Sequence, residues 1–323
     1  MNRRTVLMLS GVVLFGCGIA GFPEIRFAPA LGQDVPLSGG PASSGTQGSA
    51  SIPDFSGIWS HPYFPGIEPP ASGPGPVTNR LRLPSGQSDP DHLVGDYTNP
   101  VLKPAAAEVV RKHGEMEVSG VGAPTPSNQC WPEPVPYIFW NWEMQMLQQA
   151  DKITILYWYD HEVRHVRMNQ PHPARVTPSW YGDSVGHYEG DTLVIDTVGI
   201  RVGPFAMVDM YGTPHTEALH VVERYRLLDY EAAKEELERA AKEHFRIPAE
   251  SDFEVPVVDL DYRGKGLQLQ FTVEDDNVFT TPWSATVTYR RPLGGWLEYV
   301  CAENTRESGQ RVRQLPQADK PDF

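Results

Sequence analysis

Segments in which apolar residues occupy every second position dominate the chain after residue 150. This period is that of a β-strand with one buried face. The predicted strands cover residues 153–159, 163–168, 185–189, 192–197, 218–228, 267–273, 283–290 and 297–304, with an earlier strand at 53–59. Short connections favour pairing between strands that are adjacent in sequence, so the pattern predicts a mainly β fold built as an antiparallel meander.

An open meander leaves two strand edges unpaired, and this limits how the sheet can end. Closure into a lipocalin-like barrel removes both edges and is the predicted architecture, with a two-sheet β-sandwich as the alternative. Outside the strands, Asp229 and the apolar stripe that follows it predict a peripheral helix near 229–245. Pro104 is predicted to begin a short helix over 104–114.

The N-terminus has the features of an export signal. Arg3 and Arg4 precede an apolar stretch over 6–22, and Ala28-Pro29-Ala30 supplies a cleavage motif of small residues. The predicted organisation is 1–30 as the signal, 31–52 as a flexible Gly/Ser/Pro linker, 53–305 as a single β-rich domain with Pro-rich surface loops, and 306–323 as a disordered tail. The predicted location is the periplasm or the exterior of the cell.

Two features of the export segment allow alternatives. The apolar stretch is broken by glycines and falls short of the ~20 residues that span a bilayer, so no transmembrane anchor is expected. Lipidation at Cys17, within Leu14-Phe15-Gly16-Cys17, is an alternative to cleavage after Ala30 and would tether the protein to a membrane. The paired arginines fit either a twin-arginine signal or the general secretory route.

Two cysteines, Cys130 and Cys301, remain after removal of the signal. In an oxidising compartment they can pair, and closing so long a loop is worth ~4–5 kcal/mol in the chain-entropy model. The alternative is two separate buried thiols, because the sequence does not show whether the two residues meet.

Composition and spacing exclude several classes of partner. The chain has a formal net charge of −14 and no basic patch, which argues against nucleic acid. No Gly-rich loop follows a strand and begins a helix, so no nucleotide cofactor, and no other cofactor, is expected. His161 and His165 would lie ~13 Å apart on a strand, too far to share an ion, so no metal site is predicted. The oligomeric state is left open.

Several motifs extend beyond the strand pattern. Residues 182–197 are GDSVGHYEGDTLVIDT, residues 214–224 are PHTEALHVVER, residues 279–283 are FTTPW and residues 298–304 are EYVCAEN. Together they resemble a large, functionally uncharacterised family of exported bacterial β-rich proteins, with Tyr188 at a position where Trp is commoner. The resemblance covers about residues 53–304 and implies one exported domain, with 229–245 as an insertion, but it implies no reaction.

Strand alternation places two acids on otherwise apolar faces. Glu223 follows Leu219 and Val221 at every second position, and Glu303 stands in the same relation to Tyr299 and Cys301. A buried carboxylate is costly unless it is neutral or paired. The catalytic hypothesis is a general acid–base pair in a pocket. The structural hypothesis is a buried ion pair, with an inward-facing Arg167 as the partner.

The remaining site candidates lie near these strands. His215 and Asp183, in flanking loops, are further catalytic candidates. Trp283, Tyr299, Tyr225 and Arg167 are candidate ligand-binding residues.

Three functions fit these candidates. The first is an exported protein that binds a small, largely apolar or aromatic ligand in the barrel. The second is an extracytoplasmic enzyme using buried carboxylates for hydrolysis, elimination or isomerisation. The third is a structural envelope protein without a pocket.

Overall fold

Nine strands form one sheet that curls into a nearly closed barrel. The computed structural model describes residues 52–61, 63–64, 67–120, 122–140, 142–246, 259, 261–295 and 299–301. Within them the strands are β1 (Gly57–Ser60), β2 (Tyr63–Phe64), β3 (Glu143–Gln148), β4 (Lys152–Tyr157), β5 (Val163–Met168), β6 (Asp183–Glu189), β7 (Thr192–Val198), β8 (His220–Leu228), β9 (Phe245–Arg246), β10 (Gly266–Glu274) and β11 (Trp283–Tyr289). The α-helices are α1 (Pro104–Val118) and α2 (Tyr230–Glu243).

The strand order confirms the barrel. It runs β1-β3-β4-β5-β6-β7-β8-β10-β11, while β2 and β9 pair separately. The two ends of the sheet meet where Ser60 and Arg290 exchange backbone hydrogen bonds of 2.7 Å in each direction. This contact supplies the closure expected from the cost of exposed strand edges.

One pair of strands departs from the predicted antiparallel meander. Strands β5 and β6 run parallel, with Val166 opposite Ser184 and Met168 opposite Gly186. A parallel neighbour requires a crossover rather than a hairpin. The segment 169–182, which contains three prolines, provides it and returns the chain to the other end of the barrel.

The strands predicted at 185–189 and 192–197 are confirmed as β6 and β7, which form a hairpin that pairs from Asp183 opposite Val198 to Glu189 opposite Thr192. The turn between them is Gly190-Asp191. Gly190 has φ of 63°, which favours a residue without a Cβ.

Large side chains occupy the inward positions of the strands. Tyr157, Tyr225, Phe271, Trp283 and Tyr289 are each at most 2% exposed. Burying rings of this size contributes much of the stability of a domain. The barrel interior is thus a packed core over the residues described.

The helices lie against the core. α2 follows Asp229 at its N-cap and buries Ala233, Leu237 and Ala240. At Gly266 of β10, an added Cβ would come within 2.6 Å of the Cβ of Ala233, so the glycine allows the helix to lie directly on the sheet. This is the predicted peripheral helix.

Other predictions differ from the structure or fall outside it. Residues 299–301, part of the strand predicted at 297–304, are not in a strand. The signal 1–30, nearly all of the linker 31–52 and the tail 306–323 lie outside the described residues. Among the residues described, no helix is long and apolar enough to span a bilayer.

Candidate functional site

A buried ion pair crosses the interior of the barrel. Arg164 of β5 donates from Nη1 to Oε2 of Glu223 at 2.9 Å and from Nη2 to Oε1 at 2.5 Å. The same guanidinium donates to Ser184 Oγ at 3.0 Å and to Thr197 Oγ1 at 2.6 Å. Tyr225 donates its hydroxyl to Glu223 Oε2 at 2.9 Å. Polar groups from four strands satisfy one another, as a buried charge requires.

The partner of Glu223 is Arg164, and the prediction of an inward Arg167 was wrong. Arg164 is 1% exposed, whereas Arg167 points outwards and contacts Asp183 at 2.9 Å. β5 carries an arginine on each face, and Val163, which shares a face with Arg167, is 40% exposed. Alternation alone therefore could not tell which face is buried.

The interior gives the predicted site residues little access to solvent. Glu223 is 0% exposed and faces inwards as expected, but its contacts are those of a structural ion pair. Tyr225 and Trp283 are equally enclosed. Tyr299 lies instead against Trp158 and Tyr159, with ring centroids 4.6 and 4.9 Å apart.

Two further catalytic candidates are Glu303 and His215. Glu303 lies outside the described residues. His215 is buried before β8, and its Nδ1 lies 3.2 Å from the carbonyl oxygen of Thr216. Burial lowers its pKa. In the part of the chain described, no hydrogen bond or ion pair joins His215 to Glu223 or Asp183.

Asp183 belongs to a network on the outer face of the barrel. His172 contacts Asp183 at 2.7 Å through Nδ1 and Asp196 at 3.0 Å through Nε2. His220 of β8 contacts the same Asp196 at 3.1 Å, which raises the pKa of the histidine and lowers that of the acid. These contacts hold the crossover 169–182 against the sheet. The histidines, cysteines and acids of the described residues form no group able to hold a metal ion.

A pair of acidic residues lies in the loops. Glu133 and Glu162, the carboxyl pair, are 3% and 8% exposed. The backbone N–H of Glu133 donates to Oε1 of Glu162 at 2.8 Å, and Ser127 donates to Oε1 of Glu133 at 2.6 Å. Burial, followed by the charge of Glu133, raises the pKa of Glu162 to about 9. At neutral pH Glu162 therefore carries a proton.

One oxygen of this pair is unsatisfied. Glu162 Oε2 is buried and has no hydrogen-bond partner among the described residues. The phenol of Tyr181 lies close enough for burial and Glu162 to raise its pKa, but no hydrogen bond of ordinary geometry joins the two groups. Glu68, Glu143 and Asp209 each have a buried carboxyl oxygen in the same state, so what distinguishes Glu162 is its contact with a second acid, Glu133.

Three partly exposed rings from the loops contact one another and form the aromatic trio of Trp131, Trp180 and Phe205. Trp131 meets Trp180 edge to face at 5.5 Å and Phe205 at 5.8 Å between centroids. The guanidinium of Arg201 lies 5.4 Å from the Trp180 ring. Trp131 remains 37% exposed, so part of this apolar surface faces solvent.

The chain itself ties the trio to the carboxyl pair. Trp131 is two residues before Glu133, and Trp180 precedes Tyr181. Cys130, immediately before Trp131, is joined to Cys301 by a disulfide, with the Cα atoms 5.5 Å apart. Sequence reasoning missed both groups, because their residues come from separate loops and turns without periodicity. The available signal was the presence of tryptophans in such loops.

The raised carboxyl pKa values predict how stability depends on pH. Burial raises the pKa of Glu162 to about 9, of Glu68 to about 8 and of Glu143 to about 7, from 4.5. The folded state keeps these protons longer than the unfolded state does. Their stabilisation is therefore complete below the unfolded pKa and is lost as pH rises through the folded values.

We accordingly expect the Tm, measured by calorimetry, to fall as pH rises from about 7 to about 9, above the range in which the lowered pKa values of His113 and His244 act in the opposite sense. Glu162→Gln should flatten this dependence, since the amide needs no proton. Glu217→Gln, at an exposed position, is the matched control and should retain the wild-type slope. A Tm that stays constant or rises over this interval would contradict the assignment.

No family model, curated protein or solved structure matches the chain. The family resemblance based on residues 182–197 therefore stays a prediction.

Proposed function

We propose that this protein binds a small, planar, largely apolar or aromatic ligand at the aromatic trio. The observation that carries the proposal is the edge-to-face contact of Trp131 with two other rings while Trp131 itself is 37% exposed. The ligand class is the one expected from the sequence, but the site is moved from the barrel interior to the loops. Inward positions are filled by side chains such as Arg164 and Tyr225, which favours a binding surface outside.

The chemistry of the trio favours a flat ring. Tryptophan and phenylalanine offer large contact areas, and an aromatic contact adds about 0.5–1.5 kcal/mol beyond area burial. Arg201, exposed beside Trp180, would favour a ligand with a polar or anionic edge.

The proposed location is the periplasm or the cell exterior. The basic and apolar segments before residue 30 support export. The Cys130–Cys301 disulfide supports an oxidising compartment, because such bonds are rare in the reducing cytosol. Cleavage after Ala30 and lipidation at Cys17 remain alternatives within this proposal.

Calorimetric titration with 2-naphthol tests the binding site. We expect Trp180→Ala and Trp131→Ala each to weaken binding ~10-fold or more, since a lost ring contact of about 1.4 kcal/mol corresponds to that factor. Tyr97→Ala is the matched control, because Tyr97 also packs beside an arginine, Arg80, at 4.3 Å but in another loop. Circular dichroism establishes that each variant is folded.

Two outcomes would contradict the assignment of this binding site. Unchanged affinity in both tryptophan variants would place any 2-naphthol site elsewhere, with the barrel interior as the next candidate. No binding to the wild-type protein, with cyclohexanol as the non-aromatic comparison, would count against an aromatic ligand altogether.

A further inference from the structure

We propose that the carboxyl pair is an acid–base pair that transfers protons to and from a ligand held at the aromatic trio. The inference rests on the proposed function and adds a reaction to it. It assigns the chemistry to Glu133 and Glu162 rather than to the interior Glu223.

The two acids lie in environments that separate their roles. Glu133 accepts a hydrogen bond from Ser127 Oγ at 2.6 Å, and this serine lies 2.8 Å from the hydroxyl of Tyr137. Donors aimed at a carboxyl oxygen stabilise its charged form. Glu133 is therefore the base of the pair.

Glu162 has the opposite environment. Its Oε1 accepts the backbone N–H of Glu133, while its buried Oε2 has no partner among the described residues. A carboxyl group that is buried beside a like charge holds its proton. Glu162 is therefore the acid, with Oε2 as the atom that carries the proton.

Tyr181 connects the two groups. Its phenol lies close enough to Glu162 for burial and the neighbouring acid to raise the pKa of the phenol. Because Tyr181 follows Trp180 in the chain, a ligand seated against the tryptophan would lie next to Tyr181.

The arrangement suits the interconversion of a ketone and its enol. A C–H bond next to the carbonyl breaks and its proton passes to the Glu133 carboxylate. The electron pair moves into the C–C bond, and the carbonyl oxygen takes the proton of Glu162. Glu133 changes from a carboxylate to a carboxylic acid, and Glu162 changes from a carboxylic acid to a carboxylate. Charge and atoms therefore balance without an oxidant, a reductant or a metal. The substrate class is an aryl-substituted or ring-fused carbonyl compound with an acidic C–H.

Proton exchange of 2-tetralone in D₂O tests the reaction directly. This flat bicyclic ketone has an acidic C–H between its ring and its carbonyl, and NMR follows the loss of that proton signal. We expect wild-type protein to accelerate exchange above the buffer rate. Glu162→Gln and Glu133→Gln should each lose ~100-fold or more of the acceleration, the usual contribution of a positioned acid or base.

Two further measurements separate catalysis from folding. 2-Naphthol affinity should be retained in both Gln variants, because neither changes the trio. Glu143→Gln is the matched control, since Glu143 is another buried acid whose pKa is raised, to about 7, and it contacts Ser60 instead. It should keep the wild-type exchange rate. The infrared absorption of protonated carboxyl groups at pH 7 should be weaker in Glu162→Gln than in the wild type, with the remainder coming from Glu68 and Glu143.

The outcomes distinguish this inference from the function on which it rests. Wild-type exchange no faster than buffer, with trio-dependent 2-naphthol binding intact, overturns the acid–base pair and leaves the binding function standing. Equal exchange rates in the wild type and a folded Glu162→Gln overturn it as well. If that variant does not fold, Glu162→Asp replaces it and should exchange more slowly because its carboxyl group is one methylene shorter. Failure of 2-naphthol to bind the wild type counts against the proposed function itself.

Discussion

Replacing Arg164 by leucine should lower the free energy of unfolding by about 3–5 kcal/mol, because it leaves a carboxylate unpaired inside the barrel. Glu223 is 0% exposed and would lose both hydrogen bonds from the guanidinium. Tyr225 would remain as a single donor. Among the described residues no other cation contacts Glu223, so the loss should appear in urea denaturation at pH 7.

The matched control lies on the same strand. Arg167→Leu removes a half-exposed pair with Asp183, and such pairs contribute about 0–1 kcal/mol. A double variant, Arg164→Met with Glu223→Leu, should recover much of the lost stability, since apolar replacement of a whole buried pair is often neutral. Equal losses from Arg164→Leu and Arg167→Leu would be inconsistent with the interior ion pair.

Removing the Cys130–Cys301 disulfide should have an effect of similar size. The bond closes a loop with a sequence separation of 171, for which the chain-entropy model gives about 5 kcal/mol. It also fixes the residues at 299–301 against Tyr159, whose hydroxyl donates to Cys301 Sγ at 2.9 Å. We expect the Cys130→Ser, Cys301→Ser double variant to unfold at clearly lower urea concentration than the wild type.

Reductant provides the control for this variant. Reduced wild-type protein should behave like the double variant, and reductant should leave the double variant itself unchanged. Because Trp131 follows Cys130, 2-naphthol binding should weaken together with stability. If oxidised and reduced wild-type protein unfold at the same urea midpoint, the disulfide contributes nothing to the free energy of unfolding.

Features with a local cause were predictable from the sequence. The β6–β7 hairpin has a Gly-Asp turn and apolar alternation, and α2 has Asp229 at its N-cap and an apolar stripe. The inward direction of Glu223 followed from its strand in the same way. In each case the signal lies within a few consecutive residues.

Features that depend on distant contacts were not predictable. Strand β3 has the sequence EMQMLQ, whose polar residues hide its period, and it is fixed by pairing with β1 and β4. The parallel pairing of β5 and β6 depends on the path of 169–182. The trio and the carboxyl pair combine loop residues that no period relates, so only the folded chain brings them together.

The contact between Ser60 and Arg290 has a consequence for the order in which the chain can fold. The first strand of the sheet pairs, at Ser60, with the backbone of Arg290, which emerges from the ribosome about 230 residues later. Arg291 strengthens the same junction by lying 3.6 Å from the Trp59 ring centroid and donating to the Ile58 carbonyl at 2.9 Å. Topologies dominated by such long-range contacts fold slowly. The barrel therefore cannot close until residue 290 has been synthesised, and β1 must remain without this partner until then.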